Sequence, residues 1–473
     1  MKSKTITKGV YAAILGACTI AICILLIVLV RQMRSVAILP IPYAVAIVIF
    51  ILILFGVGGF LFTRKKTVVK VIGIVFIAAS IAANIEGVYL YSNSIKALDT
   101  IANQTTETTT YGIYVLNESK VETVDELSKK SVGLASDSVD ETLSEKLEPY
   151  GFDISPFDSQ ALLVEGLINE QCEGAVLNTS YIDMLEDSEF GEEFSGRLRL
   201  LDKIDISKIV EAPTIITPEE PFIVYISGKD TWGHISVTSR SDVNIIAVVN
   251  PETKHILLVS TPRDYYVPLS ISNGVKDKLT HSGIYGIDVS KDTMEMLYGI
   301  EMDHYFKVNY SGFEGLIDAM GGITVWSDYA FDVENIGHFS KGENKLTGLQ
   351  ALAFVRERHS FARGDVQRGE NQMNVIQSVI QKMTSKSTLM NYADILKECD
   401  GTFATDITTD EIADLVSYEL ANPGKWNIEK LSVGGTGEYN HVYSLQKRVY
   451  VMEPNQDDIE NAKERINEVL DEN

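Results

Sequence analysis

Only four cysteines occur in 473 residues, and Cys18 and Cys23 fall inside the first long apolar run. Cys172 and Cys399 are left, far apart in the chain. This excludes a disulfide framework and reads as two buried free thiols. Histidine and cysteine nowhere take the spacing of a zinc site. No phosphate-cradling Walker loop occurs, so nothing points to ATP as the fuel. Positive charge is scarce as well. The chain has 41 Lys and Arg against 65 Asp and Glu, a net charge of −24. Such a surface repels nucleic acid as a whole and keeps a protein soluble beside a charged wall. No internal repeat is visible.

What the chain has is concentrated apolar sequence at its start. Residues 9–30, 36–62 (broken by Pro40 and Pro42) and 68–90 (with one acid, Glu86) are nearly all apolar. Each approaches or exceeds the ~20 residues that cross a bilayer. Lys2, Lys4 and Lys8 precede the first run, and Arg64, Lys65, Lys66 and Lys70 surround the second junction. The opposite side has only Arg31 and Arg34. The expectation is a multi-pass plasma-membrane protein with a cytoplasmic N-terminus, three transmembrane helices and an extracellular remainder after about residue 91. A cytoplasmic tail of about eight residues leaves no room for a helix-turn-helix module. The first 91 residues carry a net charge of +8 and the rest −32.

The outside part divides by pattern. Residues 92–110, ending in "NQTTETTT", read as a tether. Short strand candidates alternate with helical stretches over 111–207, which predicts an α/β accessory domain. The proline-rich stretch "KIVEAPTIITPEEP" at 208–221 reads as a linker. A second α/β domain is expected over 222–473. It includes strand 222–227, a hairpin of strands 243–249 and 255–261, helix 311–320, helix 366–383 and a helix capped by Thr408-x-x-Glu411. In helix 311–320, Phe313, Leu316, Ile317 and Met320 read as core.

Chemistry gathers in this second domain. A hairpin centred between Glu252 and Thr253 sets Asp242 opposite Arg263 at its open end, and Asp230 follows the preceding strand. Alone, an Asp–Arg pair there is an ordinary surface ion pair. The stretch "FVRERHSFARGDVQRGENQ" shifts the reading, because it holds four arginines within 356–368. If extended, Arg356 and Arg358 share one face. Arg368 and Gln372 lie one turn apart in the first turns of a helix, near the positive end of its dipole. Ten arginines follow residue 91, and six sit in three short motifs, whereas 22 lysines are scattered. Planar forks suit phosphate and pyrophosphate. Two nearby aspartates suit a Mg²⁺ ion held jointly with substrate phosphates. An already activated, lipid-linked phosphate is the substrate class this favours.

The stretches "SRSDVNIIAVVNPETKHILLVSTPRDYYV", "DHYFKVNYSGFEGLIDAMGGITV" and "LTGLQALAFVRERH" with "RGDVQRGENQ" resemble the LytR-CpsA-Psr family. The resemblance covers about 222–385, and three spans before an extra outside domain are closest to the streptococcal capsule-operon members. It implies an α/β/α domain with a mixed central sheet. It also implies a Mg²⁺-dependent phosphotransferase that moves a glycopolymer, here capsular polysaccharide, from undecaprenyl pyrophosphate to peptidoglycan through a phosphodiester. On that reading Arg240, Arg263, Arg356, Arg358, Arg368 and Gln372 hold the pyrophosphate, and Asp230 and Asp242 position Mg²⁺. Asp242, Arg263, Arg356 and Arg358 would carry the chemistry. The partners implied are the lipid-linked polysaccharide, peptidoglycan, membrane lipid and other capsule-assembly proteins. Two other readings stay open: a membrane regulator of capsule expression, and a polyprenyl-pyrophosphate phosphatase with water as acceptor.

Overall fold

The computed structural model describes every residue except 1, 103–105, 139–140, 187, 189–190, 192, 211–214, 230, 233, 386–394, 396–400 and 473, and the side chains of all of these but 2–9, 97, 100 and 101. Cys399 and Asp230 therefore lie outside the described residues, while Cys172 is a buried free thiol. The chain forms two compact units. One comprises Met1–Thr100, Thr384–Lys397 and Thr408–Gly424, the other Ile101–Met383, Glu398–Ile407 and Lys425–Asn473.

In the first unit, α1 (Lys2–Ser35), α2 (Ile41–Phe62) and α3 (Thr67–Ala102) contain three stretches long and apolar enough to cross a membrane. Ile24, Ile27, Phe50 and Val75 stand exposed on them, as helices surrounded by hydrocarbon require. Pro40 and Pro42 do not interrupt a helix. They open α2, where a missing N–H costs no hydrogen bond. Helices α2 and α3 cross at glycines: a Cβ on Gly73 would lie 2.5 Å from the Phe62 nitrogen. The helix Thr409–Ala421, with the expected Thr408/Glu411 capping box, falls within this compact unit. Its Ala413 is buried with Leu29, Val36 and Leu98, and Thr409 Oγ1 donates to Asp99 Oδ1 at 2.9 Å.

The second unit contains two main sheets. The strands β1 (Thr106–Leu116), β2 (Ser131–Ala135), β3 (Asp153–Phe157), β4 (Gly174–Asn178) and β5 (Leu198–Ile209) form the first, in the order β3-β2-β4-β1-β5. Helices α4 (Glu141–Leu147), α5 (Gln160–Ile168) and α6 (Thr179–Glu186) complete this module. The expected tether at 92–110 is corrected here. Helix α3 continues to Ala102, and Thr106–Thr110 pair with Asp205–Ile209. Threonine is β-branched, and a threonine tract with a partner strand becomes sheet rather than linker.

The second sheet is mixed. Its strands are β6 (Phe222–Lys229), β7 (Ser241–Asn250) and β8 (His255–Thr261), joined later in the chain by three more. A small pair follows β8, formed by β9 (Tyr266–Pro268) and β10 (Lys276–Lys278). Next come α7 (Ile287–Tyr298), β11 (His304–Val308) and α8 (Tyr310–Ala319). The minor strands β12 (Ile323–Ser327), β13 (Phe331–Val333), β14 (Gly337–Phe339) and β15 (Gly342–Leu346) pair as β12–β15 and β13–β14. Then follow α9 (Gly348–Arg356), α10 (Asp365–Met383), β16 (Phe403–Thr405), β17 (Asn427–Ser432) and the hairpin β18 (Gly435–His441) with β19 (Arg448–Pro454). The sheet runs β16-β11-β6-β7-β8-β17, with β6–β11 and β8–β17 parallel.

Alternation along the strands splits the side chains between two layers. Tyr225, Ile246, Val248, Leu257 and Val259 pack on one face against Met294 and Tyr298 of α7 and against Ile459 and Ile466 of the helix Gln456–Asp471. Helices α8, α9 and α10 cover the other face. This is the α/β/α arrangement with a mixed sheet. A buried polar seam joins the two sheets: Tyr181 Oη donates to Ser444 O at 2.8 Å and Asn178 Nδ2 to Ile284 O at 3.0 Å.

Candidate functional site

The β7–β8 register pairs Asn244 with Thr261, so Asp242 and Arg263 lie just beyond the ladder, facing each other. Arg263 Nη1 donates to Asp242 Oδ2, and Thr280 Oγ1 donates to Asp242 Oδ1 at 3.0 Å. The N-terminus of α10 arrives at the same place. Gly369 permits the approach, since a Cβ there would lie 2.4 Å from Ser260 Oγ on β8. Arg368 Nη2 then donates to the Asp242 carbonyl at 2.9 Å and pairs with Asp365 at 2.9 Å, while Asp365 Oδ2 accepts from Arg263 N at 3.3 Å. Gln372, one turn on, donates to Val355 O at 3.4 Å.

The stretch at 356–358 is not extended as a whole. Arg356 is the last residue of α9 and Glu357 its extended cap. The Thr347/Gln350 capping box that opens α9 is present in the sequence and outweighs the apolar run after it. Arg356 and Arg358 nevertheless reach the same space, because the chain leaves the helix between them. The Arg356 guanidinium lies 4.5 Å over the Tyr310 ring. Arg363 turns away to pair with Glu370 at the surface.

These side chains cap one end of a cavity of about 510 Å³. Asp242, Arg263, Arg356, Arg358, Arg368 and Gln372 all line it. Arg240 lies in the loop before β7 and is not among the lining residues. Beyond the charged end the walls are apolar: Val375, Ile376, Val379 and Ile380 of α10 face Phe313 and Leu316 of α8. The core assignment for α8 therefore divides. Ile317 and Met320 are core, whereas Phe313 and Leu316 front the cavity. Also unforeseen at the charged end are Lys229, Asn309, Tyr310 and His359. Asn309 was legible as an N-cap, since its side chain accepts from Gly312 N.

The charges are arranged for an anion. Burial pushes the Asp365 carboxyl up, and the nearby Arg368 works against it. Burial acts the same way on Asp264, but Lys278 and Arg263 overcome it and hold that carboxyl below its ordinary range. Arg368 Nε is buried without a hydrogen-bond partner in the protein, a donor left over at the cavity. Among the described residues no cluster of three or more metal-ligating side chains occurs. Asp242 is the one described carboxylate lining the cavity. A single carboxylate already held by Arg263 and Thr280 is not a closed cage for a metal ion.

A family model described as the LytR_cpsA_psr family matches residues 196–468. Curated relatives include the polyisoprenyl-teichoic acid–peptidoglycan teichoic acid transferase TagU of Bacillus subtilis (strain 168), 35% identical over 248 residues, which is 52% of this chain and 79% of that protein. The TagU of Bacillus mycoides (strain KBAB4) is 36% identical over 201 residues, covering 42% of this chain and 65% of that protein. Among solved structures, that of B. subtilis TagV is 28% identical with a TM-score of 0.46, covering 54% of this chain and 99% of that one.

Proposed function

The chain belongs to the LytR-CpsA-Psr family, and from that premise we propose that it transfers a glycopolymer from a polyisoprenyl-pyrophosphate carrier to peptidoglycan. The observation that carries the reading is the two-part cavity: an arginine-rich end beside an apolar chamber of about 510 Å³. A pyrophosphate esterified to a long hydrocarbon has this polarity, and a water-soluble nucleotide does not. The related TagU proteins are named for a polyisoprenyl-linked polymer and a peptidoglycan acceptor. For this chain we assign undecaprenyl as the lipid and capsular polysaccharide as the polymer. The N-terminus is placed in the cytoplasm and the second unit on the outer face, following the basic flanks of the spans.

In the reaction, a peptidoglycan hydroxyl oxygen bonds to the phosphorus borne by the polymer, and its proton passes to solvent. The bridging P–O bond of the pyrophosphate breaks, and polyprenyl phosphate leaves. Arg263, Arg356, Arg358 and Arg368 bind the pyrophosphate oxygens, and Gln372 supports them. Positioning and charge neutralisation supply most of such a transfer. Asp242 orients Arg263 through their ion pair. Asp230 and Asp242 would hold a Mg²⁺ ion shared with the pyrophosphate, whose charge offsets that on the leaving phosphate.

The test uses the full-length protein with a lipid-pyrophosphate-linked saccharide, Mg²⁺ and peptidoglycan fragments. Saccharide joined to peptidoglycan by the wild type, and not by Arg263→Ala or Arg358→Ala, is expected. Release of saccharide phosphate alone would make the protein a phosphatase. Neither turnover nor lipid binding would leave the regulatory reading.

A further inference from the structure

A buried ionic group that meets the charged end of the cavity only through Lys229 ties the first sheet of the second unit to the second. Glu107 lies on β1, in the threonine tract, yet is 8% exposed. Its Oε1 accepts from Lys307 Nζ at 2.9 Å and from Lys229 Nζ at 3.3 Å, both lysines being 3% exposed or less. Its Oε2 accepts from the Ile287 nitrogen at 2.8 Å, at the start of α7. Gly286 makes the room, since a Cβ there would lie 2.8 Å from that oxygen. The backbone beside it is fixed too: Thr108 N donates to Ser236 O at 2.8 Å, and Thr238 N to Thr108 O at 3.2 Å. Lys229 completes the frame by donating to Val237 O at 2.9 Å.

The two lysines lie at the ends of the strands that carry the site. Lys229 is the last residue of β6, where the register with β7 shifts. Lys307 precedes Val308 and Asn309, which line the cavity, and Asn309 in turn caps α8. Ile226, Gly228, Phe306 and Val308 face the cavity, so alternation turns Lys307 to the opposite side of the sheet. The carboxylate therefore grips the strand ends from behind. Burial and the neighbouring Lys307 pull the Lys229 amine down to about 7, and the shared carboxylate is what holds the two amines together at one point. Its hold is strong: burial would raise the Glu107 carboxyl, yet Lys307 and Lys229 bring it down to about 2.

We infer that Glu107 is a positioning residue for the transfer site, so that the first sheet is a working part of the transferase and not a spacer. This rests on the function proposed above for the cavity. Without the carboxylate, Lys307 keeps a buried charge with no counter-charge, Lys229 loses its partner, and the ends of β6 and β11 are no longer tied to β1 and to each other. Asn309, which follows β11, lines the cavity and caps α8, then loses its setting.

The experiment compares full-length wild type, Glu107→Gln and Glu107→Gln/Lys307→Met, each with folded fraction and Tm measured beside transfer kinetics. Glu107→Gln is expected to lower kcat by about tenfold with KM for the lipid-linked saccharide nearly unchanged, because alignment rather than binding is lost. Removing one ammonium in the double variant is expected to restore kcat by about threefold or more, since an uncompensated charge costs more than an apolar replacement. A lower Tm with unchanged kcat per folded molecule would reduce Glu107 to a structural role and overturn the inference. A double variant as slow as the single one would overturn it too. A wild type with no turnover would remove the functional reading instead. Amide exchange would then decide: faster exchange at 226–229 and 304–309 in Glu107→Gln upholds the positioning, and unchanged exchange refutes it.

Discussion

Arg368→Lys separates binding chemistry from architecture at the cavity. The guanidinium makes two contacts within the protein, to the Asp242 carbonyl and to Asp365, both at 2.9 Å. One lysine nitrogen keeps the charge beside Asp365 and can retain either contact, so the folded state loses about one hydrogen bond. The buried Nε is different, having no partner in the protein. Its loss falls on the ligand-bound state alone. A hydrogen bond to a charged group is worth about 1.5–3 kcal/mol. At 1.36 kcal/mol per tenfold, kcat/KM should fall by about tenfold to about 150-fold. Steady-state transfer rates at several concentrations of lipid-linked saccharide, with calorimetry on the same preparations, give both quantities. Near-normal kcat/KM per folded molecule with a large loss of Tm would refute the reasoning, because Arg368 would then serve only to hold α10 to β7.

Other predictions probe different parts of the same unit. Val379→Trp puts bulk into the apolar chamber far along α10 from its arginines; transfer from a long-chain lipid donor should fail while a donor with a much shorter prenyl chain still reacts, as competition between the two donors would report. Gly369→Ala should cost about 1–3 kcal/mol through its clash with Ser260, read as a lower Tm, and Ser260→Ala should relieve part of it. Glu107 gives the pH dependence: its carboxyl falls from the ordinary 4.5 to about 2 in the folded protein. A depressed carboxyl stabilises above its unfolded value, so its contribution is complete above about 4.5 and is lost as pH falls toward 2. Denaturation of wild type and Glu107→Gln between pH 5 and about 2 should therefore converge at the acid end.

How much of this was legible depended on whether the deciding contacts were local. The β7–β8 register follows from a four-residue turn, "PETK" at 251–254, and it places Asp242 against Arg263 as the spacing requires. Helix α10 follows from its apolar period and puts Arg368 and Gln372 in its first turns. Helix α9 was missed although its capping box is local, because the apolar run before Arg356 suits a buried strand equally well. Periodicity has a further limit: it shows that a face is apolar, not what closes on it. The faces of α8 and α10 have the pattern of core, yet Phe313, Leu316, Val375 and Val379 leave a chamber between them. What the pattern lacked was volume, and a chamber that size suits a hydrocarbon guest as well as side chains would.

Glu107 is the extreme case, and it bears on how the whole unit is built. A glutamate among threonines reads as solvated, because its partners stand 122 and 200 residues away. No local rule signals a charge destined for burial, since burial is tolerated only when the partners arrive. The same dependence runs the other way. Lys229 ends β6 amid apolar strand residues, where an unpaired ammonium would disrupt the sheet. Strand β6 in this chain therefore presupposes β1, and the sheet of β1 to β5 cannot be exchanged for a plain linker without also changing Lys229 and Lys307.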